Sequence, residues 1–276
     1  MPKQASVEIR EENYKFLQRH VYSQAGIVLE EDKHYLFETR LAPIVQELGL
    51  GSINDLCALL KATREEKISR SVAEAMTTNE TYFFRDPSHF EAIRKELLPR
   101  LRAERKDTKR LRFWSAASST GQEAYTLAMV LLEEGLGDWD IQILGADYSS
   151  RVVERARAGK YHQIEVDRGL PAPLLIKYFE RSGVDWQLNE QVRRMVRFQT
   201  IDLRESMRAV GMFDLVFCRN VLIYFDADTK RKVLKEIRGV LFRGGWMLVG
   251  GTETVFGVDE RFERRNVGSA TVYVAR

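Results

Sequence analysis

Cysteine is scarce in this chain. Cys57 and Cys218 are the two among 276 residues, and their spacing matches no disulfide or metal framework. That excludes a stapled secreted fold and points to a reducing compartment. Long apolar runs are missing too: nothing approaches the ~18 residues of a membrane span. The start, MPKQASVEIREENY, has no signal-peptide apolar segment. The expectation is a cytoplasmic chain that does not insert into a membrane, though it can visit one by binding something there. A surplus of one charge sign is absent as well: 43 Lys and Arg face 40 Asp and Glu, a net +3, so nothing global calls for nucleic acid. Internal repeats and low-complexity segments are lacking. What remains, 44% hydrophobic and 30% charged residues, describes an ordinary globular protein of one large or two smaller domains.

Two rhythms divide it. Residues 8–76 carry helical spacing: Tyr14, Leu17 and Val21 share one face, as do Leu36, Leu41, Ile44, Val45 and Leu48 ahead of Gly49. TREEKISRSVAEAM reads as a helix opened by a capping box, Thr63 to Glu66, with Ile68, Val72, Ala75 and Met76 on one side. Asp86-Pro87 then reads as an N-cap followed by a first-turn proline. The helix it opens carries a basic run over 94–112, read as a solvated face because Glu96, Glu104 and Asp107 are interspersed.

From residue 111, strands alternate with helices: LRFWSAA, DIQILGAD, VRFQTID, FDLVFCRN, WMLVGG and ATVYVA are strands, and DADTKRKVLKEIRGVL is a helix stopping at RGG. This predicts an α/β fold with a doubly wound, mostly parallel sheet, with a small antiparallel β insertion at about 160–200. The division expected is a helical domain over 1–78, a linker segment and helix over 79–110 contributing to the site, and the sheet domain over 111–276. Ligands of such sheets bind beyond the carboxyl ends of the strands.

The residues at those ends are informative. SAASSTGQEAY follows the first strand, with small residues and Gly121 to let backbone approach a ligand; with one glycine it is no G-x-G-x-x-G, so a dinucleotide pyrophosphate is a poor fit and a ligand without phosphate is expected. Glu123 either accepts from such a ligand or answers the helix dipole. Asp147 follows the second strand, where a carboxylate can accept from both hydroxyls of a ribose; the other reading is an N-cap. Asp202-Leu203 is either an adenine edge with an apolar wall or a turn. Arg219 and Asn220 stand at the mouth of the next strand, with Tyr224 one helical turn on. The stretch TTNETYFFR, residues 77–85, fits neither helix nor strand and reads as a seam for an aromatic, hydroxyl-bearing small molecule, with Arg85 aimed at a carboxylate.

Taken together, TTNETYFFR, FWSAASSTGQEAYT, ILGADYSS, FDLVFCRNVLIYFD, VLFRGGWMLVGGTE and TVYV resemble the chemotaxis receptor methyltransferases of the CheR family, in order and over nearly the whole chain. The resemblance implies S-adenosylmethionine as cofactor, S-adenosylhomocysteine as product, and methyl esterification of glutamates on the cytoplasmic helices of methyl-accepting chemoreceptors. It assigns Asn79, Thr81, Arg85, Glu123, Asp147, Asp202, Leu203, Arg219 and Asn220 to the cofactor, and places Arg85 and Tyr224 near the transferred methyl. No metal is implied. Asp202-Leu203 departs from the commoner Asn-Leu, and GQEAYT from GEEPYS. The short loop after Phe179 suggests an enzyme independent of a receptor pentapeptide tether, acting as a monomer recruited to membrane receptor arrays.

A glutamate acceptor, pKa near 4.3, is already ionised at neutral pH and needs no general base. Consistently, none of His20, His34, His89 or His162 follows a strand of the main sheet.

Overall fold

The computed structural model describes residues 8–30, 33–63, 65–255 and 257–276; the extreme start of the chain lies outside them. The described residues form two compact units, one up to Thr78 with Tyr224–Asp226, the other Asn79–Ile223 with Ala227–Arg276. None of their helices is long and apolar enough to cross a membrane.

The first unit packs α1 (Glu11–Ala25), α2 (His34–Glu47), α3 (Ile53–Ala62) and α4 (Glu66–Ala75). Tyr14, Leu17 and Val21 are buried along α1, as their spacing requires. On α2 the buried pair is Phe37 and Leu41, with Leu36 half-buried and Leu48 at the exposed end. The capping box at Thr63 does not form. Thr63 closes α3 instead, its hydroxyl donating to the Leu59 carbonyl, and α4 begins after Glu65 without a side-chain cap. Tyr224 belongs to this unit, where its carbonyl accepts from the Val28 N–H at 2.9 Å.

The second unit opens with α5 (Pro87–Ala92), a π-helical turn over 93–97 and α6 (Leu98–Glu104). The basic run here is matched by acids. Arg94 meets Glu134, Arg105 meets buried Asp214, Lys109 meets Asp138, and Arg110 and Arg112 share Asp140. Next come β1 (Arg110–Ser115), α7 (Gln122–Glu133), β2 (Asp140–Asp147) and α8 (Ser150–Ala158). The insertion holds β3 (Lys160–His162), α9 (Gln163–Asp167), α10 (Ala172–Tyr178), β4 (Phe179–Ser182) and β5 (Asp185–Leu188), then α11 (Glu190–Arg193). The three strands form an antiparallel sheet in the order β3-β5-β4, with β4 and β5 joined through Gly183-Val184.

The main sheet is completed by β6 (Val196–Thr200), β7 (Phe213–Phe217), α12 (Ala227–Gly239), β8 (Leu241–Leu248), β9 (Phe262–Val267) and β10 (Ala270–Ala275). Among the described residues its order is β6-β2-β1-β7-β8-β10-β9, parallel from β6 to β8 and antiparallel at β10 and β9. This is the expected doubly wound sheet, and its order reverses between β1 and β7. Two strand readings need correction. β8 begins at Leu241 and passes through Arg243-Gly244-Gly245 with a register shift, so RGG lies within a strand rather than before one. β9 was not expected at all. It is an edge strand whose Glu263, Arg264 and Arg265 hide the alternation on which sequence reading depends.

Close packing fixes the edge where β2 meets β6. Phe198 lies opposite Gly145, and a Cβ there would come within 2.3 Å of its ring. The ring is buried and packed 5.3 Å from that of Tyr125, so it has no room to retreat. Gly145→Ala is therefore expected to destabilise the protein by about 1–3 kcal/mol through overpacking, read as a lower urea midpoint.

Candidate active site

The loops after β1, β2, β6 and β7 carry most of the sequence-designated residues, and one buried cation ties several segments together. Arg219, 5% exposed, follows β7. Its Nη1 donates to Glu123 Oε2 at 2.7 Å, and its Nη2 donates to Asp86 Oδ2 at 2.5 Å and to the Arg85 carbonyl at 2.8 Å. Arg219 stands at the strand mouth as its place in the sequence predicts, and its Nη groups join the loop after β7, the start of α7 and the FFRD segment. Asp86 stands at the N-terminus of α5 but makes no side-chain cap, because its carboxylate faces Arg219. Glu123 is committed on both oxygens, accepting from Ser115 Oγ at 2.6 Å with the other.

Asp147 performs a similar joining at the tip of β2. Its Oδ2 accepts from the Ser119 N–H at 2.8 Å and its Oδ1 from the Ser149 N–H at 3.0 Å, so one carboxylate orders the loops after both strands. Ser119 Oγ in turn donates to the Asn79 carbonyl at 2.8 Å, bringing the TTNETYFFR segment onto the first loop. Gly121 has a reason other than ligand approach. With φ +94° it opens α7, and a Cβ would strike Phe198 at 2.9 Å. Protein packing demands the glycine.

Sequence reasoning did not single out Glu253, whose motif alone was noted. Its Oε2 accepts from the N–H groups of Asn220 and Gly250 at 2.6 and 2.7 Å, and its Oε1 from those of Val221 and Ile223 at 3.0 and 3.2 Å. A single carboxylate thereby shapes the loop that presents Asn220. The only prior signal was its place two residues past the glycine pair that follows a strand. Among the described residues five non-glycines hold a left-handed φ, and four of them, Phe84, Asp86, Ser119 and Asn220, fall in these loops. Each costs on the order of 1 kcal/mol and persists because its neighbours over-determine it.

The remaining sequence-designated residues divide. Asp202 turns back on Arg204, accepting from its backbone N–H at 2.9 Å and from Nη2 at 2.6 Å, so it is a turn residue with a neutralising partner; Leu203 beside it is buried. Thr81 is half-buried. Arg85 donates to the Glu80 carbonyl at 3.0 Å and lies 5.5 Å from the Tyr82 ring centre. Arg168, another residue the sequence did not suggest, covers the same ring at 4.3 Å and pairs with Glu80 at 2.6 Å. Of the three aromatics, Phe83 is wholly core, edge-on to Tyr161 and Phe179. Phe84 is half-buried against Phe90, and Tyr82 is half-exposed.

The donor set fits a nucleoside bearing hydroxyls and positive charge better than one bearing phosphates. Acids predominate at these strand ends, and the one basic side chain buried among them, Arg219, is already held by two carboxylates. No cluster of ligands able to hold a metal occurs among the described residues.

His89, on α5 beside Asp86, is buried, and burial together with the Arg219 charge lowers its pKa from 6.5 to about 4. Its imidazole is neutral at pH 7. The unfolded chain protonates it from about pH 6.5 downward while the folded chain resists, so this residue withdraws up to about 3 kcal/mol of stability as pH falls from 6.5 to 4. His89→Gln should flatten the acid side of the stability curve over that window, measured as urea midpoints at pH 7 and 4.5. Glu253→Gln should destabilise by about 2–4 kcal/mol, because an amide offers one acceptor oxygen where four N–H groups converge; calorimetric unfolding reads the loss.

Comparison with known proteins gives the family. Residues 79–271 match the family described as CheR methyltransferase, SAM binding domain, and residues 12–74 match CheR methyltransferase, all-alpha domain. A chemotaxis protein methyltransferase of Vibrio parahaemolyticus is 36% identical over 97% of this chain and 98% of its own length. Chemotaxis protein methyltransferase 1 of Pseudomonas aeruginosa is 36% identical over 91% and 93% respectively. Among solved structures, a TehB-like SAM-dependent methyltransferase from Corynebacterium glutamicum aligns with 68% of this chain and 97% of its own at 17% identity and a TM-score of 0.38. With both of its units matched and relatives this similar along nearly the full length, the chain belongs to the CheR family of SAM-dependent methyltransferases.

Proposed function

We propose that this chain esterifies glutamate side chains on the cytoplasmic helices of chemoreceptors with the methyl group of S-adenosylmethionine, leaving S-adenosylhomocysteine. The observation that carries the reading is Asp147: a largely buried carboxylate at the tip of β2, held by two loop N–H groups beside the reversal of strand order. Asp147 would hold the ribose hydroxyls, Asn220 and the backbone near Asn79 and Thr81 the rest of the nucleoside, and Leu203 an apolar wall. Glu123, Arg219 and Asp202 would act on the cofactor through the loops they fix. When bound, the cofactor supplies an electrophilic methyl on a sulfonium centre.

The chain's own part is orientation and exclusion of water. A carboxylate acceptor needs no base, and His89, neutral with a low pKa, is not required as one. The reaction neutralises an anion and a cation, so a dry environment lowers its barrier; Tyr82 and Phe84 would provide one. Arg85 and Tyr224 would orient the acceptor. A tight bidentate grip by Arg85 would favour the ground state and slow transfer, and its tether to the Glu80 carbonyl leaves other donors for a lighter contact. The enzyme would act as a monomer in the cytoplasm at receptor arrays. The two-residue Gly183-Val184 connection supports activity without a receptor pentapeptide.

Incubation with methyl-labelled cofactor and receptor cytoplasmic fragments should place label on protein that mild base releases as methanol. Base-stable label, label on RNA, or cofactor binding without transfer would each refute the ester chemistry. Arg85→Ala should lower kcat about 100-fold while changing cofactor affinity less than about threefold; equal losses would contradict an orienting role.

A further inference from the structure

The guanidinium groups of this protein are generally matched by acids, as at Asp214, Asp140, Asp202 and Asp259. At one place four of them gather with little acid to match them. Along the edge strand β6 an open hollow of about 430 Å³ is lined by Arg157, Arg193, Arg194 and Arg197, with Glu190 as its one acid. Glu190 is exposed and reaches only Arg193, at 3.4 Å, while Arg157 pairs with exposed Glu154. Arg197 finds no acid among the described residues, and with the Gln199 amide turned to face it donates to that oxygen at 3.0 and 3.2 Å. The Arg194 guanidinium has no ion-pair or hydrogen-bond partner among the described residues. Arg193 Nε is buried without a partner. Four guanidinium groups around one concavity with two exposed acids beside them leave an excess of positive charge, and an anion seated among them would lower the free energy of the folded chain.

The chemistry of the lining selects the anion. Planar guanidinium forks match phosphate oxygens two donors at a time, which lysines or amides would not do. A concave volume within the roughly 300–1,000 Å³ of small-molecule pockets favours a compact ligand over a protein surface. The lining also includes the aromatic residues Tyr125 and Phe198, and Phe198 packs closely against Gly121 and Gly145. We propose that this hollow is a second ligand site, taking a phosphate-bearing small molecule of the pyrophosphate or nucleotide class.

Calorimetric titration of the full-length protein with pyrophosphate and with ATP, at ionic strength held constant with sodium chloride, tests this. Saturable one-to-one binding of either probe is expected, weakened at least about tenfold in an Arg194→Gln, Arg197→Gln double variant, whose substitutions lie on exposed side chains. S-adenosylhomocysteine should bind the variant as it binds the parent, which shows that the fold survives. Four results would overturn the site: no saturable binding by either probe, equal binding by the double variant, displacement of the probe by S-adenosylhomocysteine, or an acidic peptide binding these arginines where both phosphates fail.

Discussion

A single buried guanidinium holds the candidate site together. Arg219 has almost no solvent of its own, so its charge is tolerable only while Glu123, Asp86 and the Arg85 carbonyl remain in place. Those partners come from the start of α7 and from the segment leading into α5, far apart in sequence. Removing one side of such an arrangement typically costs about 3–5 kcal/mol, since the remaining charge is left buried and unpaired. The geometry of three loops is therefore coupled: none can shift without breaking the contact that makes the others acceptable.

Two carboxylates extend the same logic in the opposite sign. Asp147 gathers N–H groups from the loops after β1 and β2, and Glu253 gathers four more around the loop after β7. Both act on backbone: Asp147 holds the N–H of Ser119 and Glu253 that of Asn220, two residues in left-handed conformations that no glycine relieves. The result is a preorganised, mostly acidic rim at the strand ends, suited to a cationic nucleoside and to a reaction in which the chain supplies position rather than proton transfer.

Much of the fold was legible because the chain is locally consistent. β2 and β10 begin and end where the apolar alternation and run lengths place them, and Tyr14, Leu17 and Val21 are buried as helical spacing demands. Failures occurred where local signals compete. Thr63 has the sequence of an N-cap but closes the preceding helix, and Arg243-Gly244-Gly245 reads as punctuation though a bulged strand accommodates it. β9 escaped notice because an edge strand can carry charge on both faces without penalty.

By itself the sequence determined the doubly wound character of the sheet, most of its strands and the kinds of residue that follow them, since these follow from periodicity and from the short loops that join strand to helix. Tertiary structure alone decided what those residues face. Arg219 and Asp202 look like ligand groups in one dimension and are engaged by protein carboxylate and guanidinium partners in three, Gly121 answers to Phe198, and Glu253 emerges as an anchor. The reason is physical: a side chain's role depends on its partners' distance and desolvation, and both are set by strands that meet only when the sheet is assembled.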